Sequence, residues 1–200
     1  MIPFKITKEE VNQLDIGAFE GEIILVDQEK DIEGMVKDLY HRKFLGFDTE
    51  TRPAFRRGVS YDVALLQLAT PERAYLLRLN KLGFPKSIRR ILEDPNVIKI
   101  GAAVRDDLKA LRKLEPSFKP DGFFDLNEEL KKVGFQNVGV RNLSAMVLKI
   151  RISKSEQVSN WESEELTEKQ QLYAATDAWA CLKVFLVLYK EGYLDSIFSV

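Results

Sequence analysis

Only one cysteine and one histidine occur in this chain, Cys181 and His41. A disulfide within the chain is therefore excluded. So is a zinc site of the Cys/His kind, which needs several such ligands. A Ser–His or Cys–His catalytic pair would have to use His41. That residue lies in the charged stretch LYHRK at the apparent end of a helix, where a solvated ring is the ordinary reading. Long apolar runs are missing too, so no segment is expected to span a membrane. The start, MIPFKITKEEVNQLD, has no apolar segment followed by a small-residue cleavage site, and a cytoplasmic protein is the expectation. Excess charge is the last thing lacking. At a net −1 there is no global basic field to attract nucleic acid, so any such site must be a local basic rim. An enzyme with this inventory rests its chemistry on carboxylates.

What is present suits a folded α/β domain. The 200 residues, 45 % hydrophobic and 30 % charged, can build a core, and the length suggests one domain over residues 1–200. Residues 22–26 (EIILV) and 44–50 (FLGFDTE) read as strands, with a helix over DIEGMVKDLYH between them. Two more strands are expected at 63–69 and 74–79, after a loop at 51–60 containing Pro53 and Gly58. Runs 44–50, 63–69 and 74–79 suggest an antiparallel meander. Alternation follows: a helix from Pro85, a strand at 97–101, a helix with Val104, Leu108 and Leu111 inward, and a short strand at 123–125. Helices are expected near 126–133 and 142–150, then a polar loop over 151–166. A capping box at Thr167–Gln170 opens the last helix. Its expected buried stripe is Leu172, Ala175, Trp179, Leu182, Leu186 and Tyr189. A meander followed by alternating strands and helices predicts a mixed-sheet α/β fold.

Three places carry candidate chemistry. Asp48 and Glu50 lie two apart on a strand, so their side chains share a face and Thr49 takes the other. Two carboxylates at a strand end repel unless a cation joins them, and hard divalent ions favour oxygen ligands. Acidic pairs near loops are nonetheless common and usually solvated. Asp107 follows the strand VIKIG at a helix start, where the helix dipole alone favours an acid. Ligand sites of α/β sheets gather just past strand ends, which gives the position a second meaning. Asp177 interrupts the apolar AATDAWA run of the last helix, and Tyr173 shares its face four residues earlier. Aspartate is a poor helix former, so its place there asks for a reason that metal ligation supplies. Basic residues cluster at Arg52, Arg56 and Arg57 and again at Lys149, Arg151 and Lys154, and arginine suits phosphate. Phe55 and Trp161 in the same loops could stack on bases or pack against the body of the protein.

In combination these motifs resemble the DEDD superfamily of 3′-to-5′ exonucleases, tyrosine subtype, the group of ribonuclease D and the exonuclease domain of the Werner-syndrome helicase. FLGFDTET matches the first motif, IKIGAAVRDDLKAL the second and LYAATDAWA the third. The segment KSEQVSNWESEELTEKQQLYAATDA resembles ribonuclease D-like chains throughout. The resemblance runs from about 44 to about 188 and keeps the order of the motifs. It departs at Asp106, where the second motif often has another residue. Asp107 is aligned as the ligand and Asp106 is the alternative.

The resemblance implies a ribonuclease H-like mixed sheet flanked by helices. It implies that Asp48, Glu50, Asp107 and Asp177 hold two divalent ions, Mg²⁺ or Mn²⁺, and that Tyr173 orients the attacking water. It implies single-stranded DNA or RNA 3′ ends as substrate and nucleoside 5′-monophosphates as products. Arg52, Arg56, Arg57, Lys154 and Trp161 are the expected nucleic-acid contacts. No helicase or second nucleic-acid-binding domain is expected within this length. DNA against RNA, Mg²⁺ against Mn²⁺, oligomeric state and protein partners stay open. The competing readings are a non-catalytic nucleic-acid-binding module of the same fold and a purely structural domain.

Overall fold

Among the described residues, six strands form one mixed sheet in the order β1-β4-β3-β2-β5-β6. They are β1 (Glu22–Val26), β2 (Phe44–Thr51), β3 (Val63–Ala69), β4 (Arg73–Arg78), β5 (Ile98–Gly101) and β6 (Phe123–Asp125). The computed structural model of the chain describes residues 2–198. The segment 52–62 joins β2 to β3 and the turn 70–72 joins β3 to β4, and these pairs are antiparallel. The pairs β1–β4, β2–β5 and β5–β6 are parallel, the last joined directly through the helix between its strands. The meander and the mixed sheet expected from the sequence are both present. β2, which carries Asp48 and Glu50, lies inside the sheet between β3 and β5.

Alternation along β2 divides the molecule in two. Leu45 and Phe47 point into a core shared with α2 (Glu29–Leu39), α4 (Lys86–Glu93) and α5 (Arg105–Leu114). Gly46, Asp48 and Glu50 point to the opposite face, which α8 (Glu168–Lys190) covers. Ile88, Ile91 and Leu92 of α4 are buried as the spacing predicts. His41 follows α2, is exposed, and meets the ring of its neighbour Tyr40 edge-on, at 5.4 Å between ring centres.

Three expectations need correction. The stripe predicted for α8 holds only in part: Ala175 and Leu182 are buried as expected, while Trp179 and Leu186 are half-buried. Leu172 and Tyr189 are exposed, whereas Ala174, Asp177, Ala178, Cys181, Phe185 and Leu188 are buried. α8 packs against the sheet on one side and residues 138–147 on another, so its apolar residues run almost all round it and a single stripe cannot be read from them. By length and composition α8 could also cross a membrane, but 61 % of its most apolar window is buried inside the protein. The helix expected near 142–150 is a four-residue α7 (Val140–Leu143) running into a π-turn over Ser144–Leu148. Lys149, with φ 59°, ends that turn in the left-handed region.

The third correction is an addition. A helix α1 (Lys8–Gln13) opens with a capping box at Thr7 and Glu10. The chain around it is stitched to residues 134–151: the Gln136 N–H donates to the Phe4 carbonyl at 2.8 Å and the Arg151 N–H to the Asp15 carbonyl at 2.9 Å. α3 (Leu79–Leu82), α6 (Leu126–Lys132) and α9 (Asp195–Phe198) complete the described elements.

Candidate active site

Asp48, Glu50 and Asp177 each offer a carboxylate oxygen, and the three oxygens lie within 4.8 Å of one another. Two small residues bring the strand and the helix this close. At Gly46, two positions before Asp48 on the same face, a β-carbon would stand 2.1 Å from the Ala178 carbonyl oxygen. Glycine therefore sets the approach of α8 to β2. The alanines at 174, 175 and 178 of α8 are fully buried against the sheet. The AATDA run thus reads as a contact surface, with Asp177 presented from it.

Burial governs the electrostatics. It raises the Asp48 carboxyl well above the usual range, and the neighbouring Asp177 and Asp107 raise it further. Glu50 is pushed up to about 10, first by burial and then by Asp48, Asp177 and Asp107. Burial lifts Asp177 to about 7, against the pull of the Tyr173 hydroxyl and of Lys154. Three carboxylates packed together, Asp177 buried and Asp48 and Glu50 half-buried, and opposed by little positive charge hold protons unless a cation replaces them. An all-oxygen donor set of this kind fits a hard divalent cation.

Asp107 is built differently. It enters from the N-terminal turn of α5 and accepts a hydrogen bond from the Thr49 hydroxyl. Thr49 belongs to the other face of β2, so Asp107 approaches the strand end from the side opposite Asp177. It does not join the tight trio, yet it is near enough to perturb Asp48 and Glu50. Its own carboxyl is raised to about 6, chiefly by burial. Asp106 points outward and is exposed, which leaves Asp107 as the acid facing the site. The turn that delivers it is anchored by Asp125, whose carboxylate accepts from the Ala103 and Val104 N–H groups, both at 3.0 Å. Ala103 is held there at φ 60°, a conformation an alanine rarely adopts unsupported.

A cavity of about 680 Å³ opens over the acids. Tyr173, Lys154 and Gln157 line one part of it, and Lys8, Arg141 and Asn142 another. Lys154, an expected phosphate contact, is thus a residue of the cavity wall. Nothing local in the sequence marks Lys8 or Arg141: they reach the cavity through the N-terminal stitching, in which Arg141 donates to Asn12 at 3.2 Å. Gln67 has no sequence signal beyond its place in an apolar strand. It faces Asp48 across the β2–β3 ladder, is fully buried, and its amide has no hydrogen-bond partner among the described residues.

Arg52, Arg56 and Arg57 are exposed on the segment after β2, with Arg52 paired to Glu162 at 3.2 Å. Trp161 is a correction. It is fully buried, its ring centre 6.0 Å from that of Tyr173, and cannot stack on a base. Its polar neighbours, Asn160, Glu162 and Ser163, suggest a surface loop, but buried Arg78 holds the loop down through the Ser163 and Glu164 carbonyls. Trp161 instead backs Tyr173.

A mixed sheet with carboxylates converging at the end of a central strand, under an aspartate-bearing helix, defines a class that sequence comparison identifies. The profile of the 3′-5′ exonuclease family matches residues 23–192, and the chain belongs to that family. It is 30 % identical over 195 residues to the bifunctional 3′-5′ exonuclease/ATP-dependent helicase WRN of Mus musculus, covering 91 % of this chain and 14 % of that protein. It is also 30 % identical to ribonuclease D of Gluconacetobacter diazotrophicus over 184 residues, 88 % of this chain and 46 % of the relative. The chain thus spans less than half the length of either relative. Among solved structures, the Nibbler EXO domain of Aedes aegypti superposes with a TM-score of 0.80 at 24 % identity, covering 91 % of this chain and 94 % of that one. That likeness bears on the fold, which is the ribonuclease H-like one.

Proposed function

We propose that this chain is a 3′-to-5′ exonuclease that hydrolyses the terminal phosphodiester bond of single-stranded nucleic acid and releases nucleoside 5′-monophosphates. The observation that carries this reading is the convergence of Asp48, Glu50 and Asp177 within 4.8 Å, with Asp107 beside them and Tyr173 on the cavity wall. Asp48, Glu50 and Asp177 would hold divalent cations, with Asp107 supporting a second ion from the Thr49 side. Mg²⁺ and Mn²⁺ both suit the donors. When bound, a pair of such ions supplies an activated water and neutralises charge on the leaving oxygen.

The chain's own groups do the rest. Burial and the nearby acids hold the Tyr173 phenol well above its ordinary range, so it stays protonated at neutral pH. It therefore serves as a donor that orients the attacking water, and not as a base. Lys154, Lys8 and Arg141 give the cavity a cationic rim for the scissile phosphate, and Arg52, Arg56 and Arg57 extend that rim along the strand.

The test uses 5′-labelled single-stranded DNA and RNA of one sequence, each with Mg²⁺, Mn²⁺ or chelator, beside Asp48→Ala. The expected result is a ladder shortening from the 3′ end that disappears with chelator and in the variant. The faster substrate then names the nucleic acid. Metal-dependent cleavage retained by Asp48→Ala would refute the assignment, and binding without cleavage would favour the non-catalytic module.

A further inference from the structure

Arg78, the last residue of β4, is fully buried. Its guanidinium donates to the Ser163 carbonyl at 2.5 Å, the Glu164 carbonyl at 3.4 Å and the Asn80 side-chain oxygen at 3.2 Å. All three acceptors are neutral. A buried cation without a bonded carboxylate is costly to keep, and an apolar side chain of similar volume would fill the position at less cost. What the charge achieves lies in the segment it holds. Residues 159–164 form a compact turn, in which the Ser163 N–H and hydroxyl both donate to the Asn160 carbonyl, at 3.2 and 2.8 Å. Arg78 clamps one end of this turn. Gln170, buried in the first turn of α8, clamps the other: its amide donates to the Ser159 hydroxyl at 2.8 Å and to the Asn160 carbonyl at 3.3 Å. Between the clamps Trp161 packs in a cluster with Leu65, Leu76, Ala174 and Ala178. Its ring centre stands 6.0 Å from that of Tyr173, with 37° between the planes.

We propose that Arg78 is a positioning residue for Tyr173, acting through the 159–164 turn and the Trp161 ring to keep the phenol over the acids. The proposal rests on the exonuclease reading and extends it to a residue that does not line the acid-lined cavity. Tyr173 needs such a wall. Its side chain borders the acid-lined cavity and also a second, largely apolar one of about 260 Å³ beside Ile16, Ala18 and Leu172. The next residue on α8, Ala174, is too small to hold the ring. Trp161 supplies the wall from another part of the chain, and Arg78 keeps Trp161 in place. Without the clamp the turn loosens and Trp161 withdraws. The phenol is then free to tip toward the second cavity, away from the water it orients.

The experiment is a double-mutant cycle in the full chain, Arg78→Met against Tyr173→Phe, on a 5′-labelled single-stranded oligonucleotide with saturating Mn²⁺. Methionine keeps most of the volume and removes the donors. Arg78→Met is expected to lower kcat about tenfold and to leave KM within about twofold of wild type. Added to Tyr173→Phe it should cost less than about twofold, because the hydroxyl it positions is already gone. Arg78→Lys, which keeps a charged donor, should recover part of the loss. Trp161→Phe should repeat the pattern, and it carries the cycle if Arg78→Met does not fold. A second readout needs no activity. With Trp179→Phe in place Trp161 is the single indole of the chain, and acrylamide should quench it several-fold more readily once Arg78→Met is added. An unchanged kcat, a loss confined to KM, or an undiminished loss in the Tyr173→Phe background overturns the proposal. So does unchanged quenching, which would mean that Arg78 does not hold Trp161. Inactivity of the wild-type chain would refute the exonuclease reading and the proposal with it, whereas the other outcomes remove the clamp alone from an active enzyme.

Discussion

The two sides of β2 solve the same problem by different means. On the α8 side, three acids are forced together by close backbone packing at Gly46 and Ala178, and their charges are left to a cation. On the α5 side, one acid is held at a distance by the Thr49 hydroxyl, while Asp125 fixes the turn that presents it. The titration follows the construction: Glu50 is raised to about 10, Asp107 only to about 6. The trio gains its cation affinity from crowding, and so depends on helix position. Asp107 depends on hydrogen bonds, and tolerates more.

Substitutions can break this contrast at graded cost. Asp48→Ala removes the acid central to the trio and should lower cleavage about a thousandfold or more, corresponding to several kcal/mol of barrier. Gly46→Ala leaves every acid in place but forces α8 outward. It should destabilise the fold by about 1–3 kcal/mol and cut activity nearly as far, measured by thermal melting and by the ladder assay. Rates within a few-fold of wild type would show that α8 adapts and that crowding is not what sets the site.

A third test reads charge without activity. Glu50, Asp177 and Asp107 have folded-state pKa values of about 10, 7 and 6, above the roughly 4 of the unfolded chain. The folded state therefore binds more protons, and without cation it loses stability as pH rises through these values. In chelator, Asp48→Asn should melt higher than wild type at pH 8 by roughly 3–8 °C. The gap should narrow near pH 5, and Mn²⁺ should raise the wild type selectively. Equal melting at both pH values would mean that the acids are solvated. The smallest effect is expected from Thr49→Val, which releases Asp107. It should cost activity only several-fold, and a loss equal to that of Asp48→Ala would put Asp107 on the same footing as the trio.

The sequence was most informative where one face decides the pattern. Asp48 and Glu50 on β2, the meander, and α4 with its Ile88, Ile91 and Leu92 all follow from periods of two or of three to four residues. It was least informative where burial has several sources. α8 is covered on more than one side, so its phase could not be extracted, although Asp177 and Tyr173 could. Trp161 hides among polar neighbours because Arg78, far off in the chain, holds its loop down. α1 buries only Val11, too little for a periodic signal, and with it went Lys8. Gln67 sits in an apolar strand, and only the register with Asp48 gives it meaning.

Asp48 and Asp177 meet only because the last long helix crosses back over a strand formed early in the chain. During synthesis the first acids emerge long before the third. Until α8 docks, Asp48 and Glu50 are an ordinary solvated pair at the end of a strand, with neither the burial nor the neighbour that gives them their cation affinity. The site is thus assembled only once α8 has been made and has docked on the sheet.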